Sequence, residues 1–286
     1  MPWSWVAKKR WYHRPALWVL VFLLLVGALV GPRAKRRYDR WSSERHVERA
    51  RDFHAKGDFT HAMLDARAAL ELNPHNAEAN RILAQTLESV GSPDAVLWRS
   101  RLDSLLPGDP ENLLAWAGDA VKAGDLSTAE RAIKKLPPSV RNARYHDVAA
   151  AIAMGKRDLA TAEANWTEAA RLNPAEDRYA VNLATLRLGS KSPEVRAGAL
   201  KALDTVTGKP ALAIQARRTL LGDAMRQKDA VRSKELADAL VADPAATFAD
   251  RLLRLTTLRA VGDNESSSYL EELQKAAAAA PEELPR

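Results

Sequence analysis

The chain is predicted to be all-α, with one apolar N-terminal helix followed by an α-solenoid of about six to seven helix pairs. Three observations predict it. Pro74, Pro107, Pro174, Pro210 and Pro244 are separated by 33, 67, 36 and 34 residues, and 67 is twice 33 or 34. A period near 34 is that of a two-helix unit stacked in tandem. Between these marks apolar residues recur every three or four positions, the helical spacing. Ahead of them lies one uncharged run, 15–31, with basic clusters on either side.

The start of the chain comes first. Residues 1–14 read as a basic, aromatic tail, 15–31 as a transmembrane helix and 32–42 as a basic juxtamembrane linker. Seventeen helical residues span about 25 Å, short for a hydrocarbon core of about 30 Å, and flanking Lys and Arg can snorkel to recover the difference. Trp3, Trp5, Trp11, Trp18 and Trp41, five of the eight tryptophans, fit aromatic belts together with Tyr12 and Tyr38. A cleaved secretory signal is the alternative. It is disfavoured because more apolar residues and then Arg33, Lys35, Arg36 and Arg37 follow Ala28. Four Lys or Arg precede the span in residues 1–14 and six follow it in 32–45. That leans the body weakly toward the cytoplasm, as a single-pass protein of the cell or inner membrane.

Charge is concentrated in the same region. The net charge is +7, but residues 1–40 hold nine Lys or Arg against one acid, Asp39, so residues 41–286 carry about −1. No basic stripe runs along the body, and a nucleic-acid partner is not expected. Cysteine is absent, which excludes disulfides, Cys-ligated zinc and a thiol nucleophile.

The repeat body, 43–280, opens on its clearest unit. Ala50 and Phe53 share a helix face, Gly57-Asp58-Phe59 turns the chain, Ala62, Ala66, Ala69 and Leu70 share the next face, and Pro74 stops it. Ala50, Phe53, Gly57, Ala62, Ala69 and Pro74 stand in the order and spacing of the tetratricopeptide repeat, and the chain resembles that family. His46 and Ala66 depart from the pattern, where a large residue and an aromatic are expected. Further units follow. From Ala77 come Leu83, Ala84, Leu87 and Gly91. From Pro110 come Leu113, Ala117, Ala120, Gly124 and Ala129. From Ala143 come Ala150, Ala162, Trp166, Ala169 and Pro174, with Gly155 two places early. From Asp177 the turn 189–193 is irregular. Leu221 to Pro244 form a degraded sixth unit, a last pair is expected near 247–260 and 265–280, and 281–286 form a tail. The resemblance implies a right-handed solenoid whose first helices line a concave face.

No chemical motif competes with this reading. No H-E-x-x-H or G-x-S-x-G occurs, and Gly155-Lys156 and Gly208-Lys209 lack the rest of a phosphate loop. His54 and His61 alone make a poor metal site. No catalytic, cofactor or metal site is expected. Mapped through the resemblance, the groove is lined by Arg51, His54, Arg81, Gln85, Glu88, Arg144, Asp147 and Arg178. Val47 and Arg51 stand where the family's carboxylate-gripping variant has Lys and Asn, so capture of a chaperone tail is not implied. The expected function is a membrane-anchored scaffold that docks a peptide or helix of a protein partner. The alternatives are a non-catalytic N-terminal part of a larger enzyme, an envelope-assembly component, or an exported soluble binding module. N-terminal sequencing of the protein from its source should begin at or near Met1, whereas a mature terminus just after Ala28 would mark the exported module.

Overall fold

The computed structural model describes residues 15–279, and the expected tails at 1–14 and 281–286 lie outside the described residues. Among the described residues there are fourteen α-helices, one 3-10 turn at Pro138–Val140 and no strand. They fall into two compact units, Met1–Leu136 and Pro137–Arg286. The first contains α1 (Pro15–Ala55), α2 (Phe59–Leu72), α3 (Ala77–Ser89), α4 (Ala95–Leu105), α5 (Pro110–Lys122) and α6 (Leu126–Lys134). The second contains α7 (Ala143–Gly155), α8 (Leu159–Leu172), α9 (Asp177–Arg187), α10 (Pro193–Val206), α11 (Pro210–Arg226), α12 (Ala230–Val241), α13 (Phe248–Ala260) and α14 (Glu265–Ala279). They pair in order as seven hairpins, with the last third of α1 serving as the first helix of the first pair.

α1 is one helix of 41 residues, about 60 Å at the α-helical rise. From Trp18 to Arg40 its side chains are almost all exposed, Trp18, Phe22, Leu25 and Leu29 among them. From Ser43 onward one face is buried, through Ser43, Val47 and Ala50. The basic stretch 32–42 is helical and continuous with both neighbours, although Pro32 lies inside it. Proline normally clashes with the Cβ of the preceding residue in a helix, and that residue here is Gly31, which has none. Close by, Arg33 Nη1 donates to the Leu29 carbonyl at 2.7 Å.

The turn inside six of the seven hairpins repeats one device, and the irregular turn between α9 and α10 lacks a left-handed residue. Gly57, Gly91, Gly124 and Gly262 have φ between 69° and 77°. This left-handed residue lets the next N–H reach back to the first helix, as in Asp58 N to Phe53 O (2.9 Å) and Asp125 N to Ala120 O (2.8 Å). The same aspartates then cap the second helix: Asp58 Oδ1 accepts from His61 N and Asp125 Oδ1 from Thr128 N. In α7–α8 and α11–α12 no glycine is in place, so Arg157 (φ 63°) and Lys228 (φ 59°) adopt the left-handed conformation ahead of Asp158 and Asp229. Gly155, two positions early, closes α7 instead of turning the chain.

Pro74, Pro107, Pro174 and Pro244 each follow the end of a second helix. Pro210 does not. It is the first residue of α11, where its missing N–H and fixed φ suit a helix start. Its place in the spacing comes from the three-residue connection after α10, not from a helix stop.

Small residues hold each pair together. Ala50, Ala62, Ala66 and Ala69 have no exposed surface, nor do Ala117, Ala120, Ala129 and Ala132, or Ala150, Ala162 and Ala169, and Ala153 on α7 is nearly as buried. Ala66 therefore seats the backbones closely where an aromatic was expected, and Met63, Leu70 and Trp98 pack against the core cluster it belongs to. His46, the other departure, is held at its edge by Asp65 (Nδ1 to Oδ1, 2.6 Å), which also accepts from Arg49 (2.8 Å).

Arg157 and Lys228 are exposed, so their side chains contribute little beyond turn strain. Arg157→Gly and Lys228→Gly should each raise stability by about 0.5–1 kcal/mol in urea titrations, while Gly262→Ala (φ 71°) should lower it.

Candidate partner-binding faces

In the first unit, the first helices of successive pairs are α1, α3 and α5, and a line of charges joins them. Arg51 Nη2 donates to Glu78 Oε1 at 2.9 Å. Glu78 Oε2 lies 3.4 Å from Arg81 Nε, and Arg81 Nη1 lies 3.2 Å from Asp109 just ahead of α5. Deeper along the same helices, His54 Nδ1 meets Thr86 Oγ1 at 3.0 Å. That hydroxyl donates to the Ile82 carbonyl, so His54 Nδ1 carries the proton. Glu88 accepts from Arg99 (2.7 Å) and Lys122 (3.1 Å). Of the five residues expected on this face, Arg51, Arg81 and Glu88 are thus tied into inter-repeat ion pairs and His54 into a hydrogen bond. The half-buried Gln85 side chain takes part in none of them.

In the second unit, Asp147 is buried and accepts from Trp166 Nε1 (3.0 Å) and Asn182 Nδ2 (3.4 Å), with Arg178 Nη2 at 3.2 Å. Asp147 is therefore an internal tie between α7, α8 and α9. Arg178 is exposed beyond it, and Arg144 is exposed on α7. Asp147 and Arg178 come together; Arg144 stands apart from them.

The strongest polar contacts were not singled out by sequence reasoning. Arg99 is 4% exposed and bridges Asp119 (Nε to Oδ2, 3.1 Å) and Glu88. Burial pulls the Glu88 carboxyl upward, but Lys122 and Arg99 outweigh it and leave it below the usual range. Burial and the neighbouring Glu88 charge instead push Asp119 up, against the pull of Arg99. In the second unit Asp250 accepts both Arg218 Nε (2.6 Å) and Nη2 (2.7 Å), plus Thr247 N and Oγ1. The Arg218 hydrogen bonds foremost hold its carboxyl down to about 2. A signal for these contacts exists: partners lie one repeat apart, as in Asp103–Lys135 and Asp177–Lys209 at 32 residues and Glu88–Lys122 at 34.

Among the described residues no group of three His, Cys, Asp or Glu is arranged to hold a metal. His54 and His61 serve separate purposes, His61 donating to Asp58 at 2.7 Å and stacking on Phe53.

No known family pattern matches the chain, and no curated protein sequence does. Solved structures do. A tetratricopeptide repeat protein from Parabacteroides merdae aligns over 82% of this chain and 93% of its own, with a TM-score of 0.60 at 14% identity. This is the tetratricopeptide-repeat fold. MamA of Desulfovibrio magneticus RS-1 shares it over 58% of this chain and 94% of its own, at 14% identity and a TM-score of 0.50. A MamA RS-1 double mutant does so at 13% identity and a TM-score of 0.52. Tetratricopeptide repeats thus account for the all-α hairpins read from the sequence.

Asp250 has its carboxyl depressed in the folded state, so its stabilisation is complete above about pH 4 and is lost as pH falls toward about 2. Half of the Arg218 side chain is solvated, which moderates the effect. The stability difference between wild type and Asp250→Asn should shrink by about 1–2 kcal/mol between pH 5 and pH 2 in urea titrations. A pH-independent difference would contradict the assignment.

Proposed function

We propose that the chain is a membrane-anchored scaffold, whose repeats dock an extended peptide or a helix of a protein partner. The observation that carries the reading is that α1 combines two roles in one element. Its first half exposes a continuous apolar surface, from Trp18 to Val30, and its last third supplies the first rung of a charged face.

The apolar half fits a bilayer better than water. Isolated exposed Leu or Phe are ordinary on soluble proteins, but a continuous sleeve of them is not. A single-pass anchor with the body held at the membrane surface follows, with the flanking charges favouring the cytoplasmic side.

The charged half fits a polar segment of mixed charge. Arg51 on α1 and Glu78, Arg81 and Glu88 on α3 mix both signs on one face, so an incoming peptide can exchange ion pairs with it without leaving a charge unpaired. His54 and Gln85 add hydrogen-bonding groups between them. In the second unit, Arg144 and Arg178 are exposed cations on α7 and α9. Binding energy would come from the side chains at the centre of such a face.

A photo-crosslinking residue at Gln85 tests the docking face without removing an ion pair. A discrete protein adduct in membranes is expected from position 85 and not from the exposed Leu64 on α2. Adducts of equal yield at both positions, or none at 85, would contradict the proposal.

A further inference from the structure

We infer that α1 carries a collar for anionic lipid headgroups, formed by Lys35, Arg36, Arg37 and Arg40 and set at a fixed height below the first repeat. The inference rests on the membrane-anchor reading of residues 15–31 and adds a lipid chemistry to it.

The collar sets four exposed cations without carboxylate partners within six residues of one helix. In the repeats, Arg51, Arg81, Arg99, Lys122, Lys135, Arg196, Arg218 and Arg232 each meet a carboxylate. Lys35, Arg36, Arg37 and Arg40 are exposed and have no carboxylate partner among the described residues. Their flanking cations are occupied otherwise: Arg33 donates to the Leu29 carbonyl, and Arg45 lies over the Trp41 ring at 5.0 Å. One acid, Asp39, falls within the stretch.

The geometry matches a headgroup layer. Residues 33–40 rise about 10 Å along the helix, close to the polar zone of about 5–8 Å on each side of a bilayer core. At 100° per residue Arg33, Arg36, Arg37 and Arg40 share one face, and Lys35 lies opposite. The exposed Tyr38 and Trp41 stand between them at interfacial height. Phosphate is the anion at that height, and Arg and Lys are its usual donors. Continuity supplies the remaining constraint. α1 is unbroken from this collar to Ser43, which is buried in the first repeat and donates to the Ala69 carbonyl at 2.9 Å. About 18 Å of helix separates Gly31 from Ser43, so headgroup contacts would fix how far Arg51 and the rest of the first rung stand from the bilayer.

The test uses the full chain in phosphatidylcholine vesicles, with spin-labelled phosphatidylglycerol or phosphatidylcholine as the reporter. The wild type should associate with the phosphatidylglycerol label about three-fold or more over phosphatidylcholine, and 1 M salt should abolish the preference. Arg36→Gln/Arg37→Gln/Arg40→Gln with Lys35→Gln should lose it, and the matching Arg→Lys variant should keep it. Equal association of both labels with the wild type, or a preference that survives the glutamine variant, overturns the collar. So does a wild-type chain drawn from phosphatidylglycerol vesicles by single-stranded RNA.

Flotation on phosphatidylcholine vesicles after an alkaline wash reads the anchor separately. A chain retained there without a lipid preference keeps its anchor and loses its collar. A chain washed from phosphatidylcholine that still floats with phosphatidylglycerol, dependent on the four cations, keeps the collar and loses the anchor. Release from both overturns both.

Discussion

Everything else in the first unit depends on the close seating of α1 against α2. Ala50 on α1 faces a second helix whose Ala62, Ala66 and Ala69 are all without exposed surface. Dense interiors tolerate little added volume, so these four methyl groups fix the distance between the two backbones. That distance sets the turn at Gly57, the position of Asp58 as a helix cap, and the alignment that brings Ser43 to the Ala69 carbonyl. Because the same helix continues outward as the apolar sleeve, the packing of three or four alanines decides how the sleeve and the charged face are oriented.

A second layer of constraint joins one hairpin to the next. Alanine-rich pairs bury little apolar area each, and buried or half-buried polar ties supplement them: Arg99 with Asp119, Asp147 with Trp166 and Asn182, Arg196 with Asp223 (Nη1 to Oδ1, 3.0 Å). Such ties add specificity of register more than net energy, since each must first be desolvated. Loss of one partner would leave a buried charge, which is far costlier than loss of both. The residues that line the candidate face thus serve two ends, with their inner members locking the stack and their outer members exposed.

Much of this was legible in the sequence, and the reasons differ by element. The hairpin period, the Gly-Asp turns and the last pair near 247–280 could be read because small residues, glycines and aspartates recur at fixed offsets. The turns at Arg157 and Lys228 could not, since a strained non-glycine residue leaves no local mark. Pro210 was misleading, because proline both stops helices and starts them. Gly31-Pro32 resembles a boundary, yet the helix continues through it, and Gly31 lacks the Cβ that would add one clash. The groove was legible only as positions. Which of those side chains are consumed by partners depends on residues on other helices, 19 to 35 positions away for Asp147, beyond the reach of a pattern read within one helix. Asp147 shows this best: its site on α7 reads as groove-lining, and only the approach of Trp166 and Asn182 makes it internal.

Continuity of α1 is the feature that links apolar sleeve, basic stretch and first repeat, and it can be measured directly. The chain has no cysteine, so two can be introduced without background, at Lys35 on α1 and Arg67 on α2. Both positions are exposed. Pulsed electron–electron resonance between spin labels there, in lipid nanodiscs, should give a single narrow distance distribution for an unbroken helix. A broad distribution, or two resolved populations, would show that residues 32–42 bend as a hinge and would contradict a rigid connection between the apolar sleeve and the repeats.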